Sequence, residues 1–341
     1  MTHAAAASRR SNHPFAYVAA LFFVLLCLMP PTGKLSDNEE NYFALAARAV
    51  ALVRPSPDTA IFDASPHRFV NEFVLGHLIA AAGFETAQIT ARSVAALAYA
   101  IALSWLFYGI GLSALDAVLV VVVFVMMGQT LFGGEWLFGD YEAKIPAYAL
   151  VIAGLACTLS RRSWALSALL FAAATYFHFL VGIFWFVAAI ALRLVADRRE
   201  GRRLLMAAAL FMLAVAPLLA LIASSRIRDG AVAAADMPSP DVIYSIIRAP
   251  HHTSPFVSWD NFVGQWLPGL LLAAAMLATT VVVARSETSQ RLRPVARWLG
   301  GLLIYLFLAF AAAYLDRRTG MLGKLYLFRP ASLLLLLWLA L

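Results

Sequence analysis

Apolar residues in this chain come in long runs. The runs at 14–31, 91–111, 116–133, 144–160, 163–180, 181–196, 203–224, 263–284, 297–315 and 325–341 hold few charges. Each approaches the roughly 20 mostly apolar residues that a spanning helix needs. The pattern predicts an all-α polytopic transmembrane bundle, one domain over 1–341 with about ten spans. Arg9 and Arg10 precede the first run, as in a signal peptide, but Pro30-Pro31-Thr32-Gly33-Lys34 follows it instead of a small-residue cleavage site. The first run is therefore read as an uncleaved helix. The last run stops at Leu341 with no polar flank, which predicts that the chain continues.

A different pattern follows the first span. In Ser36-Asp37-Asn38-Glu39-Glu40-Asn41-Tyr42, Ser36 and Glu39 have capping-box spacing. Phe43, Leu45, Ala46, Val50 and Val53 then recur with helical period, broken by Arg48 and Arg54. This predicts an amphipathic helix at the membrane surface. A polar stretch with Pro55, Pro57 and Pro66 follows, then a second short amphipathic segment from His67 that ends at Gly83.

Composition strengthens the membrane reading. The chain is 62% hydrophobic and 13% charged, with a mean hydropathy of +0.80. A soluble domain is nearer half apolar and a quarter charged. The net charge of +7 is accordingly assigned to cytoplasmic loops and anionic lipid, not to nucleic acid. Cys27 and Cys157 sit inside apolar runs with no ligand spacing, which argues against a disulfide framework or a cysteine metal site.

Charge also sets an orientation. With the N-terminus in the cytoplasm, the short inner connections hold Arg161 and Arg162, then Arg198, Arg199, Arg202 and Arg203, then Arg285, Arg291 and Arg293. Most acids fall on the other side, in a first loop at 32–90, a short connection at 134–143 and a later loop at 225–262. The working surface therefore faces outward.

Asp37, Glu39 and Glu40 stand at the start of the surface helix. They either complement its dipole or supply a general base to a substrate hydroxyl. His178, near the outer end of its span, is either an interhelical hydrogen-bonding group or a functional one. Arg317, Arg318, Lys324 and Arg329 are basic on the outward side, against the positive-inside trend. Either a bound anion such as a phosphate holds them, or a salt bridge to Asp316 or lipid headgroups do, and Arg329 is the strongest anion candidate.

Glu39 and Tyr42, with Gly83 and Arg92 opening the second span, resemble motifs of the GT-C superfamily, membrane glycosyltransferases that use polyprenyl-phosphate-linked sugars. Protein mannosyltransferases and the lipid A aminoarabinose transferase belong to it. The similarity covers roughly residues 14–200 by pattern. The family's aspartate before the glutamate falls on Asn38, which cannot act as a base, so the role passes to Glu39, or to Asp37 or Glu40 beside it.

The resemblance implies transfer of a sugar from a polyprenyl-phosphate donor to a hydroxyl of a lipid, glycan or protein acceptor on the outer face, with inversion. It further implies a second acidic site at Asp140, Glu142 and Lys144, where a carboxylate orients the acceptor or holds a divalent cation and the lysine meets a lipid phosphate. Arg248-Ala249-Pro250-His251-His252 is similar to an element of uncharacterised proteins of this kind, and Arg248, His251, His252 and Arg329 become candidates for the donor phosphate. No cofactor is expected beyond that possible cation. The alternatives are a transporter or flippase, which calls for broken helices and acids at the midplane, and a non-catalytic membrane assembly subunit.

Overall fold

The computed structural model describes residues 14–52, 66–133, 135–160, 163–228, 239–286 and 292–341. Its principal helices are α1 (Pro14–Leu28), α2 (Asp37–Ala49), α3 (Phe69–Ile110), α4 (Ala114–Met126), α5 (Lys144–Leu159), α6 (Trp164–Phe177), α7 (Phe179–Ala196), α8 (Gly201–Arg228), α9 (Trp259–Arg285), α10 (Arg293–Asp316) and α11 (Ala331–Leu339). Short helical turns fill 240–253, and no strand occurs among the described residues. The chain is an all-α polytopic helical bundle.

Five helices, α3 and α7 to α10, are long and apolar enough to cross a membrane. Four shorter apolar helices, α1, α4, α5 and α6, complete the wall. Several expected runs are divided differently. The run at 116–133 forms a helix only to Met126, because Gly128 and Gln129 adopt left-handed φ values of 74° and 62° and turn the chain. The run at 325–341 is helical only over α11. That helix lies in the core, packed on α4 and α10, with Leu333 to Leu336 fully buried.

The expected amphipathic segment before Gly83 exists, but no linker follows it. It continues directly into the second span as α3, bent at Gly83, whose φ of 76° suits a residue without a Cβ. Helix α2 also forms where the pattern predicts. It buries Phe43, Ala46 and Ala47 against the first half of α3. The approach is close at Gly76, where a Cβ would stand 2.4 Å from the Ala46 carbonyl oxygen.

Lipid tails are as apolar as leucine, so helix association in a bilayer rests on close packing and interhelical hydrogen bonds. Small residues are buried throughout the α3, α5, α6 and α7 contacts, among them Ala100, Ala147, Ala168, Ala172 and Ala188. Trp298 Nε1 donates to the Ala188 carbonyl at 2.8 Å and Tyr176 Oη to the Ala214 carbonyl at 2.9 Å, tying α10 to α7 and α6 to α8. Large apolar side chains such as Leu205, Leu213, Leu271 and Leu308 point outward, as a lipid-facing surface requires.

Helix hairpins set the two ends apart. The start of α5, the α6–α7 junction, α2 and the end of α10 share one end. The turns after α3, α5, α7 and α9 share the other. Arg199, Arg202, Arg203, Arg285 and Arg293 lie at that other end, called here the basic end.

Candidate functional site

The first-loop carboxylate Glu39 is fully buried and crowded by donors. Arg92, nine residues beyond the Gly83 bend of α3, grips it through Nε at 2.7 Å and Nη2 at 2.9 Å. The Tyr141 N–H donates at 2.8 Å, the Ser36 N–H at 3.2 Å and Gln88 Nε2 at 3.3 Å. Burial alone would push this carboxyl up, but the Arg92 guanidinium and the Tyr141 and Ser36 amides outweigh it and hold it below its ordinary value. Such a carboxylate cannot take up a proton without losing these bonds. Its geometry is that of a staple joining α2, α3 and the 135–143 connection.

The two neighbouring base candidates are not drawn in with it. Glu40 is exposed, and the Asp37 side chain lies outside the described residues. Asp58, Asp63, Asp229 and Asp236 also lie outside them.

Asp140 shares the Arg92 guanidinium, accepting from Nη2 at 2.9 Å, yet 32% of its side-chain surface stays exposed. It is the carboxylate of this group that solvent or a substrate can reach. Glu142 is buried and accepts from Asn38 Nδ2 at 3.0 Å. Asn38, the residue that departs from the expected aspartate, thus links the start of α2 to the second acidic segment. Burial raises the Glu142 carboxyl above its ordinary value, with the nearby Lys144 opposing and Glu135 reinforcing the rise.

Lys144 does not snorkel to a headgroup. It is 4% exposed and sits between Glu135 at 3.0 Å and Glu142 at 3.4 Å, with its ammonium 3.8 Å from the centre of the Trp136 ring. The 135–143 connection is folded inward and not spread on the interface. Gln129 pins it, accepting from the Leu137 and Phe138 N–H groups at 3.1 and 2.8 Å and donating to the Phe138 carbonyl at 3.0 Å.

Glu135 sits at the centre of the cluster. Composition marks it only as another outward acid, and its role becomes visible when Arg329 folds onto it at 3.3 Å from a turn nearly two hundred residues later. Lys144 and Arg329 hold the Glu135 carboxyl far below its ordinary value despite burial, which opposes ionisation. Arg329 Nη1 donates to His178 Nε2 at 2.7 Å, and Tyr326 lies against the guanidinium at 3.9 Å. Because an arginine only donates, His178 Nε2 is an acceptor and its Nδ1 carries the proton. That Nδ1 is buried with no hydrogen-bond partner among the described residues. Arg68 lies 5.2 Å from the Tyr42 ring and pairs with Glu72 at 3.2 Å.

The later loop joins through one histidine. His252 Nδ1 bonds the Gly133 carbonyl, and the His252 ring lies 4.0 Å from that of His251. Burial lowers the His252 pKa, partly offset by Glu135. His251 and Arg248 are exposed. Arg317 is exposed over the Tyr314 ring, and the Lys324 side chain lies outside the described residues.

Asp140, Glu142, Lys144, His252 and Arg329 therefore meet around the 133–144 connection, together with Glu39, Arg92, Asn38, Glu135 and His178. Among the described residues, no group of three or more His, Cys, Asp or Glu gathers as a set of metal ligands. No family model, curated protein or solved structure matches this chain.

Proposed function

We propose that the chain is a membrane glycosyltransferase of GT-C type, transferring a sugar from a polyprenyl-phosphate donor to an acceptor hydroxyl with inversion. The observation that carries this reading is the pairing, at one end of an apolar bundle, of a reachable carboxylate with an unspent cationic grip. Asp140 supplies the first. Arg329 supplies the second: among the described residues it uses two of its five N–H donors, on Glu135 and His178.

In this mechanism Asp140 takes the proton of the acceptor hydroxyl as its oxygen attacks the anomeric carbon. The bond from that carbon to the phosphate oxygen breaks, and the lipid phosphate leaves with its extra negative charge. Arg329 receives that charge, as a preorganised donor does where charge develops, and His178 holds its guanidinium in place. Glu39 is assigned to positioning and not to proton transfer. Through Arg92 it fixes the orientation of Asp140. The transporter alternative needs acids at the midplane, and here they sit at one helix end.

The basic end is assigned to the cytoplasm by the positive-inside trend, which turns the site to the periplasmic or other extracytoplasmic face. A bacterial inner membrane suits this orientation.

The test is an assay of the purified full chain with a radiolabelled polyprenyl-phosphate sugar and extracted membrane lipid, glycan or protein acceptors. Label should move to an acceptor from the lipid-linked donor and not from a nucleotide sugar. Transfer from a nucleotide sugar instead would contradict the proposed donor.

A further inference from the structure

A cavity lies at the basic end, remote from the cluster just described. It has a volume of about 400 Å³ and opens between the end of α5, the start of α6, the end of α7 and the start of α8. This is within the range of ordinary small-molecule sites. Its walls are divided by chemistry. Phe186, Ala168, Leu204 and Ala207 form an apolar side, while Arg193, Glu200 and Arg203 form a charged one.

Arg193 and Glu200 are paired, and both are largely buried, at 14% and 13% side-chain exposure. Arg193 Nη1 also reaches toward the Thr158 carbonyl at 3.5 Å. The pair neutralises itself. Arg203 is exposed at the mouth and leaves the lining with one net positive charge. The same helix turns Leu205, Met206, Met212 and Leu213 outward to the apolar surroundings, so the mouth borders the bilayer.

The geometry points to a binding site for the headgroup of a membrane phospholipid, with its phosphodiester on Arg203 and its glycerol and first acyl carbons along Phe186, Leu204 and Ala207. A phosphodiester carries one negative charge, which matches the net charge of the described lining residues. A phosphate monoester or inorganic phosphate carries close to two and would leave one unmatched beside Glu200. The apolar wall has no use for a soluble phosphate ester, which favours a lipid as the source.

Native mass spectrometry of the purified full chain tests this, with phosphatidylglycerol, diacylglycerol of the same chains and soluble glycerol phosphate as probes. One phosphatidylglycerol should be retained per chain and diacylglycerol should not. Arg203→Ala should weaken retention about tenfold, the order expected for loss of one charge-assisted contact, and Arg203→Lys should restore most of it. Ala207→Trp, which fills the cavity, should act like Arg203→Ala. Arg203 is exposed and its removal leaves the bundle packing intact, so its result stands even if the tryptophan variant misfolds. Equal retention of phosphatidylglycerol by wild type and Arg203→Ala would overturn the site. So would equal retention of diacylglycerol, or displacement of the lipid by glycerol phosphate at equal concentration.

Discussion

At the scale of single residues, the contrast between Glu39 and Asp140 organises the site. Both carboxylates touch Arg92, but Glu39 has every lone-pair direction occupied and Asp140 faces open space. Breaking a buried ion pair by removing one partner costs about 3–5 kcal/mol. Glu39→Ala should therefore lower the thermal stability of the detergent-solubilised protein by that order, and a midpoint within a degree of wild type would contradict the staple. The pH dependence follows from the same bonds. The folded-state pKa of Glu39 and of Glu135 lies below the ordinary carboxylate value of 4.5, so their contribution is complete above about pH 4.5 and fades as pH falls through the depressed values. Melting temperature should decline below about pH 4.5, and Glu135→Gln should flatten that decline. The sequence reached this neighbourhood through a motif resemblance that singled out Glu39, whose acceptors are spent, and it did not single out Glu135 within the 134–143 connection. Only the fold supplies the pairing partners, since Arg92 arrives from α3 and Arg329 from the turn before α11.

At the scale of elements, periodicity located most helices and failed where turn geometry or the third dimension intervened. The capping box at Ser36 and the apolar spacing after it mark α2 correctly, because both are local signals. The end of α4 was missed because Gly128-Gln129-Thr130 is only a brief break in an otherwise apolar stretch, and left-handed φ values at Gly128 and Gln129 end the helix there. Helix α11 was read as a span because run length does not distinguish lipid from a surrounding protein core; its leucines face other helices. The α2–α3 contact offers a direct check. Gly76→Val would place side-chain carbon within 2.4 Å of the Ala46 carbonyl, where real Cβ atoms do not stand. Overpacking of this kind costs about 1–3 kcal/mol. The variant should melt earlier and lose a disulfide cross-link engineered between α2 and α3, and an unchanged cross-link yield would show that α2 is not seated as described.

At the scale of the whole molecule, the bundle separates two chemical environments. One end gathers carboxylates, two arginines, a buried lysine and histidines around the 135–143 connection; the other carries basic turns and the cavity. In a version with Cys27 and Cys157 replaced, Arg318→Cys should react with a membrane-impermeant maleimide added outside intact cells, and Arg199→Cys only after permeabilisation. The reverse pattern would invert the molecule and place the carboxylate site in the cytoplasm. The most direct test of the proposed chemistry is the rate of sugar transfer by Asp140→Asn, measured beside wild type and Glu39→Gln, each corrected for its folded fraction. Loss of a positioned general base typically costs 10²–10⁴-fold. The expected result is a fall of at least about 10²-fold in Asp140→Asn at unchanged thermal stability, with a smaller loss per folded molecule in Glu39→Gln. Transfer by Asp140→Asn at the wild-type rate would contradict Asp140 as the base and, with it, the proposed mechanism.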